Sequence, residues 1–197
     1  MCARYGTVFV LDEVQTGMDR TGRLLAAHHC GVEPDIAILA KALSGGLVPC
    51  SAVLMSDRIY EAVYDSLKRS SVHTSTFSEN SMSMRAGLAT LDVVERENLG
   101  ERSLVMGEVL RQRLREALAG YEMVADVRGI GMMSGIEFQA PKQLRRAALE
   151  AFRHIHEGMF RQIVMMRLYR DHNILTQICG NNFMVLKVAP PLVVTEE

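Results

Sequence analysis

The chain has 197 residues, 22 basic and 23 acidic side chains, a formal net charge of −1 and 48% hydrophobic residues. That size allows one domain or two small ones with a real core, and the balanced charge argues against holding nucleic acid or another polyanion by bulk electrostatics. No apolar run approaches the roughly 18 residues a membrane span needs, and the scattered cysteines Cys2, Cys30, Cys50 and Cys179 form no C-x-x-C pair, which predicts a reduced, cytoplasmic protein rather than a zinc or redox site.

Residues 7–11, TVFVL, lack polar alternation, and a short β-branched apolar run predicts a strand buried on both faces, as in a parallel sheet. It ends in Asp12 and Glu13. A chain rarely opens one step before so loaded a strand end, so it reads as a fragment. Pro34 and Asp35 make a turn into a second buried strand at Ile36–Leu39, and PCSAVLMS gives a third. DRIYEAVYDSLK predicts a helix burying Ile59, Val63 and Leu67, with Asp57 as its N-cap. Strands alternating with helices give an α/β class with a mostly parallel sheet.

A helix over 81–99 would bury Met84, Leu88, Leu91 and Val94, and another over 101–119 would bury Met106, Leu110, Leu114 and Leu118. MVADVRGIGMMSGIEF predicts two strands around a Gly129/Gly131 turn. A helix over roughly 142–170 would use Leu144, Ala148, Phe152, Ile155, Met159 and Ile163, and NFMVLKVAPPLVV a last strand stopped by Pro190 and Pro191. The boundary is placed near residue 95, giving an α/β lobe over 1–95 and an α+β lobe over 96–197.

Ligands of parallel sheets bind beyond the carboxyl ends of the strands, so Asp12 faces a site by topology. Three readings of it compete. It is a solvated strand end, or the magnesium-holding acid of a P-loop ATPase, or the partner of a cationic ring nitrogen in a cofactor. The second needs G-x-x-x-x-G-K-[ST], which is not present. The third gains from ILAKALSGG, which sets Lys41 just past the second strand, beside Ser44, Gly45 and Gly46. A desolvated lysine can form a Schiff base, and with an acid that keeps a pyridine nitrogen protonated it makes the minimal pyridoxal phosphate machine.

The run LDEVQTGMDRTGRLLAAHHCGVEPDIAILAKALSGG resembles the class III (ω-) aminotransferases, among them ornithine, 4-aminobutyrate and putrescine aminotransferases. The resemblance continues through HTSTFSEN, LDVVERENL, VRGIGMMSGIEF and KVAPPLVV, and covers nearly the whole chain. It implies a type I pyridoxal-phosphate-dependent transferase fold, with 1–95 the second half of the cofactor-binding large domain and 96–197 an incomplete small domain. It implies that Asp12 binds the pyridine nitrogen, Gln15 the phenolic oxygen and Lys41 the aldehyde. Thr76, with Ser75 beside it, would reach the phosphate of a neighbouring subunit, making a homodimer with a shared site. The substrates implied are an amine or ω-amino acid donor and a 2-oxo acid acceptor. Glu13 has no chemical task in this scheme and is expected to make a salt bridge or accept a backbone N–H. His73 is expected to be structural.

Two departures matter. Where the family reads Q-T-G-F-G-R-T-G, this chain has Met18 and Asp19 for Phe-Gly. Where many members have arginine, it has Lys187, a poorer bidentate clamp for a carboxylate; if that position touches substrate, this favours an amine donor without a carboxylate beside the reacting carbon. QICGNNFMVLKVAPPL and VHTSTFSEN are most similar to the putrescine and diamine end of the family. A racemase, mutase or decarboxylase on the same scaffold, or a non-catalytic remnant, stays open, because the same lysine and aspartate serve all three chemistries.

Overall fold

The structure is a computed structural model that describes residues 1–139, 162–179 and 184–196. These form two compact units, Met1–Glu101 and Arg102–Glu197.

The first unit is built on a three-stranded sheet of β1 (Val10–Asp12), β2 (Ile36–Leu39) and β3 (Ala52–Met55), in that order. β1 and β2 run parallel, with Asp12 opposite Ile38, and the Glu13 N–H extends the ladder to the Ile38 carbonyl at 2.9 Å. β3 is antiparallel to β2, so among the described residues the sheet is mixed. β2 is the central strand and buries Ala37 and Leu39. The run at 7–11 is not buried on both faces: Val8 and Val10 are 42% and 47% exposed. β1 starts only at Val10 and among the described residues pairs with β2 alone, so its apolar side chains keep contact with solvent.

α1 spans Asp57–Val63, with Ser56 at the N-cap and Asp57 in the first turn rather than capping it. It stops before Leu67, which is exposed on a separate 3-10 turn, Leu67–Arg69. Asp65 and Ser66 intervene and hydrogen-bond to each other at 3.1 Å, the kind of local side-chain bonding that competes with helix. α2 spans Ser81–Arg96, and the Asn80 Oδ1 caps it by accepting from the Met82 and Ser83 N–H groups. Its buried residues are Gly87 and Val94, while Met84, Leu88 and Leu91 are exposed. The reason is close approach: a Cβ at Gly87 would lie 3.6 Å from Cys50 Sγ and 3.7 Å from the Leu43 carbonyl, so the face that packs is the small-residue face. Asn98, at φ +47°, ends the helical run before α3 (Leu99–Leu118) begins.

The second unit is an antiparallel sheet of β4 (Val124–Ile130), β5 (Met133–Phe138), β6 (Gln177–Cys179) and β7 (Val185–Val188), in the order β4-β5-β7-β6. β4 and β5 form a hairpin that turns at Gly131 and Met132, with Gly131 in the left-handed region at φ +54°. Residues 162–172 form α4. Val127, Ile136 and Leu186 make the core, covered by Leu114 and Leu118 of α3 and by Val164, Met165 and Leu168 of α4. The remaining expectation for α3 shifts by one position: Ser103, Gly107 and Arg111 are buried, and Met106 and Leu110 are half-buried. A Cβ on Gly107 would fall 1.9 Å from the Gly131 carbonyl, so only glycine lets the helix sit this near the hairpin. Of the helix expected over 142–170, residues 142–161 lie outside the described residues, and Ile163 is exposed. β7 ends two residues before Pro190, as a strand facing a proline pair must.

Candidate active site

Asp12 closes β1, and Lys41 follows Ile38, its register partner, by three residues. Because the two strands are parallel, both residues stand at the same, carboxyl-terminal end of the sheet. Asp12 is exposed, and its Oδ1 accepts the Val14 N–H at 3.0 Å, which leaves Oδ2 unengaged by any described residue. Glu13 behaves differently. It is 4% exposed, its Oε1 accepts the Ala27 N–H at 2.9 Å, and its Oε2 accepts the Thr16 hydroxyl. The backbone N–H partner is the one anticipated for it. The apolar strand therefore ends in one acid that faces solvent and one that is sealed into the fold.

The segment after Glu13 turns tightly. Gly17 packs so closely that a Cβ would lie 2.6 Å from Leu39 Cδ2 and 2.8 Å from the Glu13 carbonyl. Met18 and Asp19, the pair standing for Phe-Gly, both adopt left-handed backbone, at φ +57° and +59°. Met18 is fully buried. Burial pushes the Asp19 carboxyl above its ordinary range and lowers the Arg20 guanidinium from its own. His28 and His29 lie on a 3-10 turn, Ala26–Cys30, where His29 Nε2 lies 2.9 Å from the Thr21 carbonyl.

Lys41 opens a second 3-10 turn, Lys41–Ser44, with φ +49°, a conformation that non-glycine residues rarely adopt. The turn is anchored from behind. Leu43 and Ser44 are buried, the Ser44 hydroxyl donates to the Val48 carbonyl, and Gly45 sits against Thr90 of α2. Such strain persists where surrounding packing over-determines it, and it gathers at functional sites.

Lys41 lines an open cleft of about 1020 Å³, together with Ser75 and its neighbours His73, Thr74 and Phe77. That is the size of cleft that takes a cofactor and a small substrate. Ser75 is itself held by Ser78, whose Oγ accepts the Ser75 N–H at 3.0 Å. Asp12, Gln15 and Thr76 are not among the cleft's lining residues. Gln15 and Thr76 are exposed. Lys187 lies on β7, where its Nζ donates to Gln177 Oε1 at 2.8 Å. Residues to which the sequence assigned no role at the site also line the cleft: Cys50, Tyr64, Glu79 and Ser83. Glu79 and Ser83 flank the HTSTF run closely enough that the sequence carried a hint of them. Cys50 and Tyr64 arrive only through the fold.

What this arrangement offers is an exposed primary amine lining a roomy cleft that also carries serine and threonine hydroxyls, with the Asp12 carboxylate at the same end of the sheet. It suits a carbonyl-bearing cofactor with a basic ring nitrogen and an anionic group. Among the described residues no helix is long and apolar enough to cross a membrane.

The family model for class III aminotransferases matches residues 1–197. A putrescine aminotransferase of Pectobacterium atrosepticum is 34% identical over 198 residues, covering 100% of this chain and 38% of the relative. Among solved structures, a Bacillus anthracis aminotransferase superposes with a TM-score of 0.83 at 28% identity, over 99% of this chain and 42% of its own. An ornithine aminotransferase of Toxoplasma gondii, described with partial occupancy of PLP at its active site, superposes with a TM-score of 0.79 at 31% identity, over 99% of this chain and 41% of its own. The chain thus spans about two fifths of the length of the relatives it matches.

Proposed function

The chain belongs to the class III aminotransferases, and from that membership we propose that it supplies the lysine-bearing part of a pyridoxal-phosphate-dependent enzyme. That enzyme moves an amino group from an amine or ω-amino acid to a 2-oxo acid. The observation that carries the proposal is the placement of Asp12 and Lys41 at one end of a parallel strand pair, with Lys41 in the cleft.

Bound there, pyridoxal 5′-phosphate would supply an aldehyde that captures the donor's amine and a protonated ring that draws electrons from the carbon bearing it. The residues divide the remaining work. Lys41 Nζ holds the cofactor covalently at rest. Freed from that bond, the same Nζ would be the group placed to act as base and then acid toward the proton of the amine-bearing carbon. The Asp12 carboxylate holds a proton on the ring nitrogen by favouring its charged form. Gln15 hydrogen-bonds the phenolic oxygen. Ser75 and Thr76 offer hydroxyls to a phosphate, in a site completed by a second copy of the chain. We take residues 1–95 as cofactor-binding domain and 96–197 as small domain, in a cytoplasmic homodimer.

Borohydride reduction of the cofactor-loaded enzyme tests this directly. Peptide mapping should find the pyridoxyl label on Lys41. A label on Lys68 or Lys187 instead sinks the assignment.

A further inference from the structure

Two successive carbonyls on the wall of the Lys41 cleft are held by serine hydroxyls. The Ser44 hydroxyl donates to the Val48 carbonyl, and the Ser83 hydroxyl, from α2, donates to the Pro49 carbonyl at 2.8 Å. Neither carbonyl takes a backbone N–H among the described residues. Gly46, Leu47, Val48, Pro49 and Cys50 all line the cleft with Lys41. This stretch of wall therefore satisfies its carbonyls through side chains rather than through a strand ladder.

The two serines differ in what they connect. Ser83 joins the wall to a helix. Ser44 is 1% exposed and closes the 3-10 turn that Lys41 opens, so its bond joins the wall to the lysine. Lys41 keeps φ +49°, a backbone that a non-glycine residue holds where its surroundings impose it. The two residues after the turn, Gly45 and Gly46, are also left-handed, at φ +65° and +81°, and as glycines they bend at no steric cost. The strain in this segment thus falls on Lys41. A turn released from Val48 would relax toward ordinary right-handed backbone, and the amine would swing with it at the end of its four-carbon stem.

We propose that Ser44 is a positioning residue for Lys41: its hydrogen bond to the Val48 carbonyl holds the lysine in left-handed backbone and so sets where the amine stands in the cleft. The proposal rests on the aminotransferase reading for what the amine then reacts with, but not for the geometry.

The test uses pyridoxal 5′-phosphate as the probe on cofactor-free enzyme. Lys41 Nζ condenses with the aldehyde, a water molecule leaves, and borohydride fixes the link for peptide mapping. Ser44→Ala should capture the cofactor about 10²-fold more slowly, the loss expected when a reacting group is displaced by about 1 Å. Ser44→Cys has the same shape and a weaker donor, so its rate should fall between the two, and it decides the matter if the alanine protein does not fold. In a Lys41→Ala background, where only non-covalent binding remains, adding Ser44→Ala should change the Kd little by calorimetry. A crystal structure of Ser44→Ala should find Lys41 outside the left-handed region. A native capture rate, or Lys41 still near φ +49°, overturns the proposal. A Kd that weakens as much as the rate falls overturns it too, because Ser44 would then only shape the wall. If the native enzyme takes no label on Lys41 yet Lys41 leaves the left-handed region in Ser44→Ala, the aminotransferase reading fails and the Ser44 assignment stands.

Discussion

Glu13 Oε1 accepts the Ala27 N–H at 2.9 Å across 14 residues of chain, and the same carboxylate takes the Thr16 hydroxyl on its other oxygen. This bond ties the end of β1 to the 3-10 turn Ala26–Cys30, and so fixes the strand end that presents Asp12. Glu13→Ala would leave a buried N–H without an acceptor, so urea denaturation should show a loss of about 1–3 kcal/mol. Glu13→Gln keeps one carbonyl oxygen for Ala27 and should lose less. Equal stability of native and Ala proteins would show that the bond contributes nothing to the fold.

Asp12 calls for the opposite kind of substitution. An asparagine at position 12 can still accept the Val14 N–H through Oδ1, so Asp12→Asn removes the charge and leaves the local turn in place. If the carboxylate keeps the cofactor ring protonated, turnover should fall on the order of 10²-fold or more, as when one preorganised electrostatic partner is removed. Cofactor content, read from absorbance, should change far less. Near-normal turnover in Asp12→Asn would reduce Asp12 to a strand terminus.

The sequence was most legible where a rule about local backbone applied. The β4–β5 hairpin follows from Gly129 and Gly131, and the common end of β1 and β2 follows from two apolar strands joined by a long crossover. It was least legible along α2 and α3. Counting large apolar residues picked Met84, Leu88 and Leu91, but α2 buries Gly87, where a Cβ would already touch Cys50 and Leu43, so little room remains there for a large side chain. Ser103 and Gly107 were overlooked on α3 for the same reason. Hydrophobic periodicity reports what could be buried, whereas close approach selects what is small.

Arg111 offers a test of the second unit. It is 5% exposed and donates to the Gly131 carbonyl at 2.7 Å, to Ser134 Oγ at 3.3 Å and to Glu108 Oε2 at 2.9 Å. Arg111→Met keeps the stem but strips the hairpin carbonyl of this donor, and should cost about 2–3 kcal/mol in denaturant. Hydrogen bonds from Arg111 first, and then from Arg115, hold the Glu108 carboxyl below its ordinary 4.5. A depressed folded value makes its contribution present above 4.5 and lost as pH falls through that lower value. Glu108→Gln should therefore flatten the acid limb of the stability profile below 4.5, with its loss, kept small by solvent screening of the exposed carboxylate, appearing at neutral pH and vanishing in acid. An unchanged acid limb would show that Glu108 is not coupled to the arginines in solution.

Asp19 and Gly100 should prove coupled. A Cβ on Gly100 would sit 3.0 Å from Asp19 Oδ1 and 3.1 Å from its Cγ, so alanine there must push the carboxylate aside. That side chain has little room to yield, since its backbone is fixed at φ +59° and its carbonyl accepts the Gly22 N–H at 2.9 Å. Gly100→Ala alone should destabilise by about 1 kcal/mol or more, as overpacking does. In an Asp19→Gly background, where glycine accepts the left-handed backbone freely, the same change should be neutral or stabilising, because alanine is the better helix former. Burial raises the Asp19 carboxyl above 3.8, so its contribution is fully present below 3.8 and is lost as pH rises through the raised value. Asp19→Gly should remove that slope. A double-mutant cycle in denaturant measures the coupling, expected at about 1 kcal/mol. Strict additivity of the two substitutions would show that the loop carrying Met18 and Asp19 relaxes away from α3, and that the geometry at the start of this helix does not depend on the Asp19 carboxylate.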